Sequence, residues 1–155
     1  MNGPASASQI DPVRKALLVP IAPEKAFSLY TTGVASWWPL DSHSVGENRA
    51  ETVILEGRAG GRFYERDKDG TAAEWGVVRV WDPPHRLVYS WHPGRPEDTG
   101  QEVELRFAAD GSGTRIDLEH RGWEALGDKA EAVRANYDKG WDFVFGECFA
   151  RAAGA

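Results

Sequence analysis

The chain has 155 residues and a mass of 17.1 kDa, which is the size of one ordinary domain. Its 18 basic and 24 acidic residues give a net charge of −6 without a basic run, and this argues against nucleic-acid binding, which needs clustered Lys and Arg. No stretch approaches the ~20 apolar residues of a membrane span. The small, polar residues 1–11 predict a disordered tail, and residues 12–153 a single domain.

Cysteine and aromatic content narrow the class of protein further. Cys148 is the one cysteine, so the sequence excludes an internal disulfide and a cysteine-based zinc site. A single cysteine fits a reducing compartment, so we expect a cytoplasmic protein. We expect no metal ion or cofactor, because no phosphate-binding, dinucleotide-binding or zinc-protease motif occurs. Seven Trp, four Tyr and six Phe are many for this length. Large aromatic side chains line cores, and they also line pockets for apolar ligands.

The first third of the chain predicts one strand followed by two short helices. Val13–Pro20 has the composition of a strand that ends at proline. Pro23 and Glu24 begin a helix, since proline suits the first helical position and glutamate the positive end of the helix dipole. A second short helical segment is predicted over Val34–Trp38.

The remainder predicts an antiparallel meander and a long C-terminal helix. Six strand-like runs are separated by turn residues: Glu51–Glu56, Gly61–Arg66, Ala73–Trp81, Arg86–His92, Gln101–Ala108 and Thr114–Arg121. The helix has an apolar stripe formed by Tyr137, Trp141, Val144, Phe145, Cys148, Phe149 and Ala152. Gly140 and Gly146 lower its helical propensity, which indicates close packing against the sheet. Sheet and helix each have one apolar face to bury, so we expect an α+β fold of about seven strands packed on this helix.

Five segments of the chain resemble a known family. They are VPIAPEKAFSLYT (19–31), SWWPLDSHS (36–44), EGRAGGRFYE (56–65), WGVVRVWDPPHRLVYSWHP (75–93) and GTRIDLEHRGWEAL (113–126). The chain resembles the AHSA1-like branch (activator of Hsp90 ATPase homologue-like) of the SRPBCC, START or Bet v 1-like superfamily. The resemblance implies a helix-grip fold, with a cavity between a curved antiparallel sheet and the C-terminal helix. It implies no single activity, because members bind apolar small molecules, catalyse polyketide cyclisation or activate Hsp90.

Strand alternation predicts which side chains line this cavity. Together with the first helix, the SWWP segment and the C-terminal helix, it gives Tyr30, Trp38, Leu87, Tyr89, Trp91, Leu105, Phe107, Leu118, His120, Tyr137, Trp141 and Phe145. The orientation of Arg79 stays open because both faces of its strand carry one charge. Glu56 and Glu65 are ambiguous in the same way.

A few polar or reactive side chains are candidates for chemistry. His120 is either a ligand hydrogen bonder and general base, or a core histidine satisfied by its neighbours, which is the interpretation we favour. Tyr89 offers its hydroxyl either to a ligand or to the cavity rim. Residues 37–43, with two tryptophans and His43 close to Asp41, form either an aromatic mouth over the cavity or a plug with His43 in solvent. We expect Cys148 to be buried and unreactive.

Three functions are consistent with these residues. The leading hypothesis is binding of a small hydrophobic or aromatic molecule between the sheet and the C-terminal helix. The second is a cavity enzyme of cyclase or hydrolase type with His120 as acid or base. The third is stimulation of an Hsp90-type chaperone ATPase through protein contact. The sequence leaves open whether the chain is an enzyme and whether it forms a homodimer.

Overall fold

The computed structural model describes residues 10–96 and 100–155 and confirms the predicted order of strands and helices. The strands are β1 (Val13–Val19), β2 (Ala50–Leu55), β3 (Arg62–Asp67), β4 (Ala72–Asp82), β5 (Arg86–Ser90), β6 (Glu102–Asp110) and β7 (Gly113–Arg121). They form one antiparallel sheet in the order β1-β7-β6-β5-β4-β3-β2. The meander therefore runs from β2 to β7, and β1 adds to its far edge.

Short helices follow β1 and a long one ends the chain. Helix α1 (Pro23–Tyr30) is followed by single 3₁₀ turns at Val34–Ser36 and Glu47–Arg49. After β7 come a 3₁₀ segment (Trp123–Lys129), α2 (Ala130–Phe143), a π-helical segment (Val144–Phe149) and α3 (Ala150–Ala152). We refer to residues 130–152 as the C-terminal helix. Within the two described ranges, no helix is long and apolar enough to cross a membrane.

Most of the segment predicted to be a disordered tail lies outside the described residues, which begin at Ile10. Its last two residues contact the domain. The backbone N–H of Ile10 donates to Glu124 Oε2 at 3.2 Å, and the carbonyl oxygen of Asp11 accepts from Arg134 Nε at 2.6 Å. The chain is therefore held against the C-terminal segment from Ile10 onward.

The inner face of the sheet packs on the C-terminal helix. Trp141, Phe145 and Phe149 of the helix are buried against the side chains that alternation places on the inner face of the sheet. These are Leu87 and Tyr89 of β5 with Trp91 just after it, Val103, Leu105 and Phe107 of β6, and Ile116, Leu118 and His120 of β7, all of them buried. The apolar stripe predicted for this helix changes position near its end: Ala152 is exposed, and Ala153 is buried instead. The π-helical segment explains this change, since its wider turn moves the buried positions by one residue along the sequence.

Strand β4 shows why alternation left Arg79 undecided. Trp75 and Val78 are three residues apart and both buried, because the pairing of β3 with β4 shifts register at Trp75: Phe63 pairs with Gly76, but Tyr64 pairs with Glu74. Gly76 lies where β5 approaches, and a Cβ there would overlap the carbonyl oxygen of Ser90. Arg79 lies at a second register shift, between Val78 and Val80, and faces outward; its guanidinium lies 2.7 Å from the carboxylate of Glu102.

The outer face of the sheet is charged and paired. Glu104 on β6 accepts hydrogen bonds from Arg86, Arg106 and Arg121 at 2.7–2.8 Å. Burial alone would raise the pKa of Glu104, but these three guanidinium groups lower it to about 2. The charged face fixes the register of the central strands, because a slip of one residue would bury these ions.

The predicted close packing of Gly140 and Gly146 against the sheet is wrong. Among the described residues, a Cβ at Gly140 would meet no atom within 4 Å, and a Cβ at Gly146 would meet only the carbonyl oxygen of Trp141 at 4.0 Å. Neither glycine is therefore required by a neighbouring element.

Candidate functional site

A pocket of about 290 Å³ opens between the C-terminal helix and one end of the sheet. The helix forms one wall through Asn136, Tyr137, Gly140, Trp141 and Val144. Trp75 of β4, with Trp91 and Pro93 after β5, forms the opposite wall, and Trp38 lies in the interior. The loop that carries Ser42, His43, Ser44 and Val45 forms the mouth.

Four tryptophans dominate this lining, and their ring centroids lie 4.9–6.3 Å apart in the pairs that contact each other. Each indole N–H donates to a protein acceptor at 2.6–3.0 Å: Trp38 to the carbonyl of His43, Trp75 to Glu65, Trp91 to the Tyr137 hydroxyl and Trp141 to His120. Because these donors are occupied, the tryptophans present apolar ring surface to the pocket.

The buried carboxylate of Glu65 ties the mouth to the sheet. Glu65 is 2% exposed. Its Oε1 accepts the backbone N–H of Val45 and the indole N–H of Trp75, each at 2.6 Å, and its Oε2 accepts the N–H of Gly46 at 2.8 Å. Three donors thereby compensate the burial of this charge. The sequence left the orientation of Glu65 open, and in the structure its side chain points inward. Glu65 thereby positions both the loop at the mouth and Trp75.

Polar groups are concentrated at the mouth. His43 is exposed; its Nδ1 lies 2.7 Å from Ser42 Oγ, and its ring lies 5.3 Å from that of Phe143. Asp41 is thus not the group bonded to His43. The side chain of Asn136 makes no hydrogen bond to the described residues. In that part of the chain, no charged side chain lines the pocket.

His120 lies outside the pocket lining and is fully buried. Trp141 Nε1 can only donate, so His120 Nδ1 accepts this bond at 3.0 Å. His120 Nε2 therefore carries the proton and donates to Gln101 Oε1, also at 3.0 Å. Burial lowers the pKa of His120 to about 3. The imidazole is neutral, with both nitrogens occupied, and this arrangement fits a core histidine.

The other predicted cavity residues divide into two groups. Four of the twelve line the pocket: Trp38, Trp91, Tyr137 and Trp141. Seven more are buried in the packed core: Tyr30, Leu87, Tyr89, Leu105, Phe107, Leu118 and Phe145. The hydroxyls of Tyr30 and Tyr89 hydrogen-bond each other at 2.9 Å, and burial raises the pKa of both phenols. That Tyr89 contacts a ligand therefore stays a prediction.

No sequence pattern indicated that some residues line the pocket, among them Val45, Pro93, Asn136 and Val144. A sequence signal existed for two others. Trp75 belonged to the strand whose faces were undecided, and Gly140 was noticed as unfavourable in a helix. Cys148 is half-buried rather than buried, and burial raises the pKa of its thiol. Within residues 10–96 and 100–155, no three His, Cys, Asp or Glu side chains are grouped so as to hold a metal ion.

Comparisons with known proteins identify relatives of the chain. Residues 20–150 match the family model described as Activator of Hsp90 ATPase homolog 1-like protein, which confirms the resemblance noted from sequence. No curated protein matches the chain. Among solved structures, the anthrahydroquino-γ-pyrone synthase Txn09 is 34% identical, with 95% of this chain and 97% of that chain covered and a TM-score of 0.62.

Two further structures share the fold. The self-sacrificing resistance protein CalC from Micromonospora echinospora is 29% identical, with 92% of this chain and 94% of that chain covered and a TM-score of 0.68. An HSP90 activator from Plasmodium falciparum is 17% identical, with 73% and 74% covered and a TM-score of 0.53. At that identity the likeness shows the fold alone.

Proposed function

The chain belongs to the family of Activator of Hsp90 ATPase homolog 1-like proteins, and from this premise we propose that it binds a small, uncharged aromatic molecule in the pocket beside the C-terminal helix. The observation that carries the proposal is the lining itself. Its four tryptophans have no free indole N–H, and no charged side chain among the described residues lines the pocket. Burial of apolar ligand surface contributes about 25 cal/mol per Å² before the costs of binding.

Size and polarity of the pocket define the ligand class. A volume of about 290 Å³ stands at the lower end of the ~300–1,000 Å³ typical of ligand pockets, which suits a molecule of a few fused rings. Flat rings stack favourably on indole surfaces. Asn136 and His43 at the mouth favour a hydroxyl or carbonyl on the outer edge of the ligand. Similarity to a synthase named for an anthrahydroquino-pyrone supports a polycyclic aromatic ligand.

A charge placed in the wall tests this proposal. Val144 lines the pocket, whereas Ala135 on the same helix is exposed and lies outside it. We expect 1-hydroxyanthraquinone to quench the tryptophan fluorescence of the wild type saturably. Val144→Arg should weaken this binding at least about tenfold, because an unpaired guanidinium in an apolar site costs well over 1 kcal/mol. Ala135→Arg adds the same charge and should bind as the wild type does.

Either of two results would contradict the proposal. One is a wild type without saturable quenching by the probe. The other is a Val144→Arg protein that binds the probe as tightly as the wild type and the Ala135→Arg control. Far-UV circular dichroism of both variants separates loss of binding from loss of fold.

An enzyme acting on such a ligand is the second candidate, favoured by the 34% identity to a synthase. His120 is enclosed by Gln101 and Trp141, so a proton transfer in the pocket would fall to His43 or Tyr137, which line it. A binding protein returns its ligand unchanged, whereas an enzyme returns a product. Mass spectrometry of the recovered ligand distinguishes these functions. Stimulation of an Hsp90-type ATPase is supported by the family description alone.

A further inference from the structure

Gly140 occupies the middle of the helical wall of the pocket. Asn136 and Val144 precede and follow it by four residues and also line the pocket, so the three positions form one stripe of the helix. A Cβ at Gly140 would meet no atom of residues 10–96 or 100–155 within 4 Å. A side chain at this position would therefore extend into the space of the pocket.

The usual reasons for glycine in a helix do not apply at this position. Glycine is among the least favourable residues of a helix interior, and Gly140 lies well inside α2. Its φ is not in the left-handed region, which holds eight other glycines of the described ranges. Among the residues that the structure describes, no element packs so closely that a Cβ at Gly140 would clash. Backbone conformation and packing against the described residues therefore do not require glycine here, and the position of Gly140 in the pocket wall distinguishes it from Gly146 of the same helix.

We propose that Gly140 is the specificity-determining residue of the pocket. Its missing side chain leaves a notch in the helical wall, and this notch admits the additional ring of a flat ligand with three or more fused rings. The other walls carry Trp38, Trp75 and Trp91, so a ring in the notch remains in contact with indole surface. The inference rests on the proposed function and names the ligand size that this site selects.

Gly146 offers a matched control on the same helix. It is exposed and lies outside the pocket lining, and a Cβ there would have the carbonyl oxygen of Trp141 as its nearest neighbour, at 4.0 Å. Substitution of either glycine removes an unfavourable residue from the helix. Only substitution at Gly140 fills the pocket.

The test compares Gly140→Leu and Gly146→Leu with the wild type, using 1-naphthol as the two-ring probe and 1-hydroxyanthraquinone as the three-ring probe. Tryptophan fluorescence quenching measures affinity, and thermal unfolding checks the fold. Gly140→Leu should weaken 1-hydroxyanthraquinone binding at least about tenfold while 1-naphthol changes less than about threefold, because a few added methylene groups in an apolar pocket discriminate by at least this much. Gly146→Leu should change neither affinity.

The outcomes separate this inference from the proposed function. The role of Gly140 is overturned if Gly140→Leu binds 1-hydroxyanthraquinone as tightly as the wild type does, or if its affinity falls equally for both probes. Neither result affects the conclusion that the wild type binds a ligand. A wild type that binds neither probe overturns the proposed function and this inference with it. If the leucine variant does not fold, Gly140→Ala provides the same comparison. It adds one methyl group, so its affinity for 1-hydroxyanthraquinone should fall severalfold.

Discussion

At the scale of single residues, burial decides what a titratable side chain can do. Strand alternation correctly predicted that His120 faces inward from β7, but it could not identify the partners of the ring. These are Gln101 and Trp141, which lie 19 and 21 residues away along the chain. Since both ring nitrogens are used and the pKa is lowered to about 3, the imidazole contributes to packing as a neutral group.

The lowered pKa of His120 predicts a pH-dependent stability. The unfolded chain takes up a proton below the ordinary pKa of 6.5, whereas the folded protein does so only near pH 3. The stability contributed by neutral His120 is therefore complete above about pH 6.5 and is lost as the pH falls toward 3. Between pH 7.5 and pH 5.5 the free energy of unfolding in urea should decrease by about 1.4 kcal/mol through this group.

Two substitutions test whether His120 causes this pH dependence of stability. His120→Gln should remove most of the decrease between pH 7.5 and 5.5, because glutamine does not titrate. His85→Gln replaces an exposed histidine and should retain the decrease. An unchanged pH dependence in His120→Gln would show that another group is responsible.

At the scale of elements, the loop at the mouth is positioned by a residue of the sheet. The sequence suggested residues 37–43 as a mouth over the cavity, but it left the orientation of Glu65 open. Hydrogen bonds from the backbone of Val45 and Gly46 to Glu65 are a tertiary feature without a periodic signal. The register shift between β3 and β4 at Trp75 similarly hid from strand alternation that Trp75 faces the pocket.

Loss of the Glu65 carboxylate should loosen this element. Glu65→Gln replaces an acceptor oxygen by an amide that itself donates, so at least one of the three N–H groups loses its buried partner. We expect the free energy of unfolding in urea to fall by about 1–3 kcal/mol and the affinity for 1-hydroxyanthraquinone to fall with it. Glu51→Gln alters an exposed glutamate of β2 and should leave both unchanged. A Glu65→Gln protein as stable as this control would contradict the positioning role.

At the scale of the whole molecule, periodicity predicted which faces meet but not where the pocket lies along them. Leu87, Leu105 and Leu118 pair across β5, β6 and β7 in one row, and Tyr89, Val103 and His120 in the next. Both rows are buried against the helices, and the pocket begins beyond them at Trp91. Alternation with a period of two assigns a side chain to a face of the sheet, yet it carries no information on distance from the open end.

We propose that a ligand occupies the space bordered by four of the seven tryptophans, and the indole N–H resonances of ¹⁵N-labelled protein report on this space residue by residue. On titration with 1-hydroxyanthraquinone, the resonances of Trp38, Trp75, Trp91 and Trp141 should shift together. Those of Trp37, Trp81 and Trp123, which lie outside the pocket lining, should stay in place. If no resonance shifts, or if only those of Trp37, Trp81 and Trp123 shift, the ligand does not bind in this pocket.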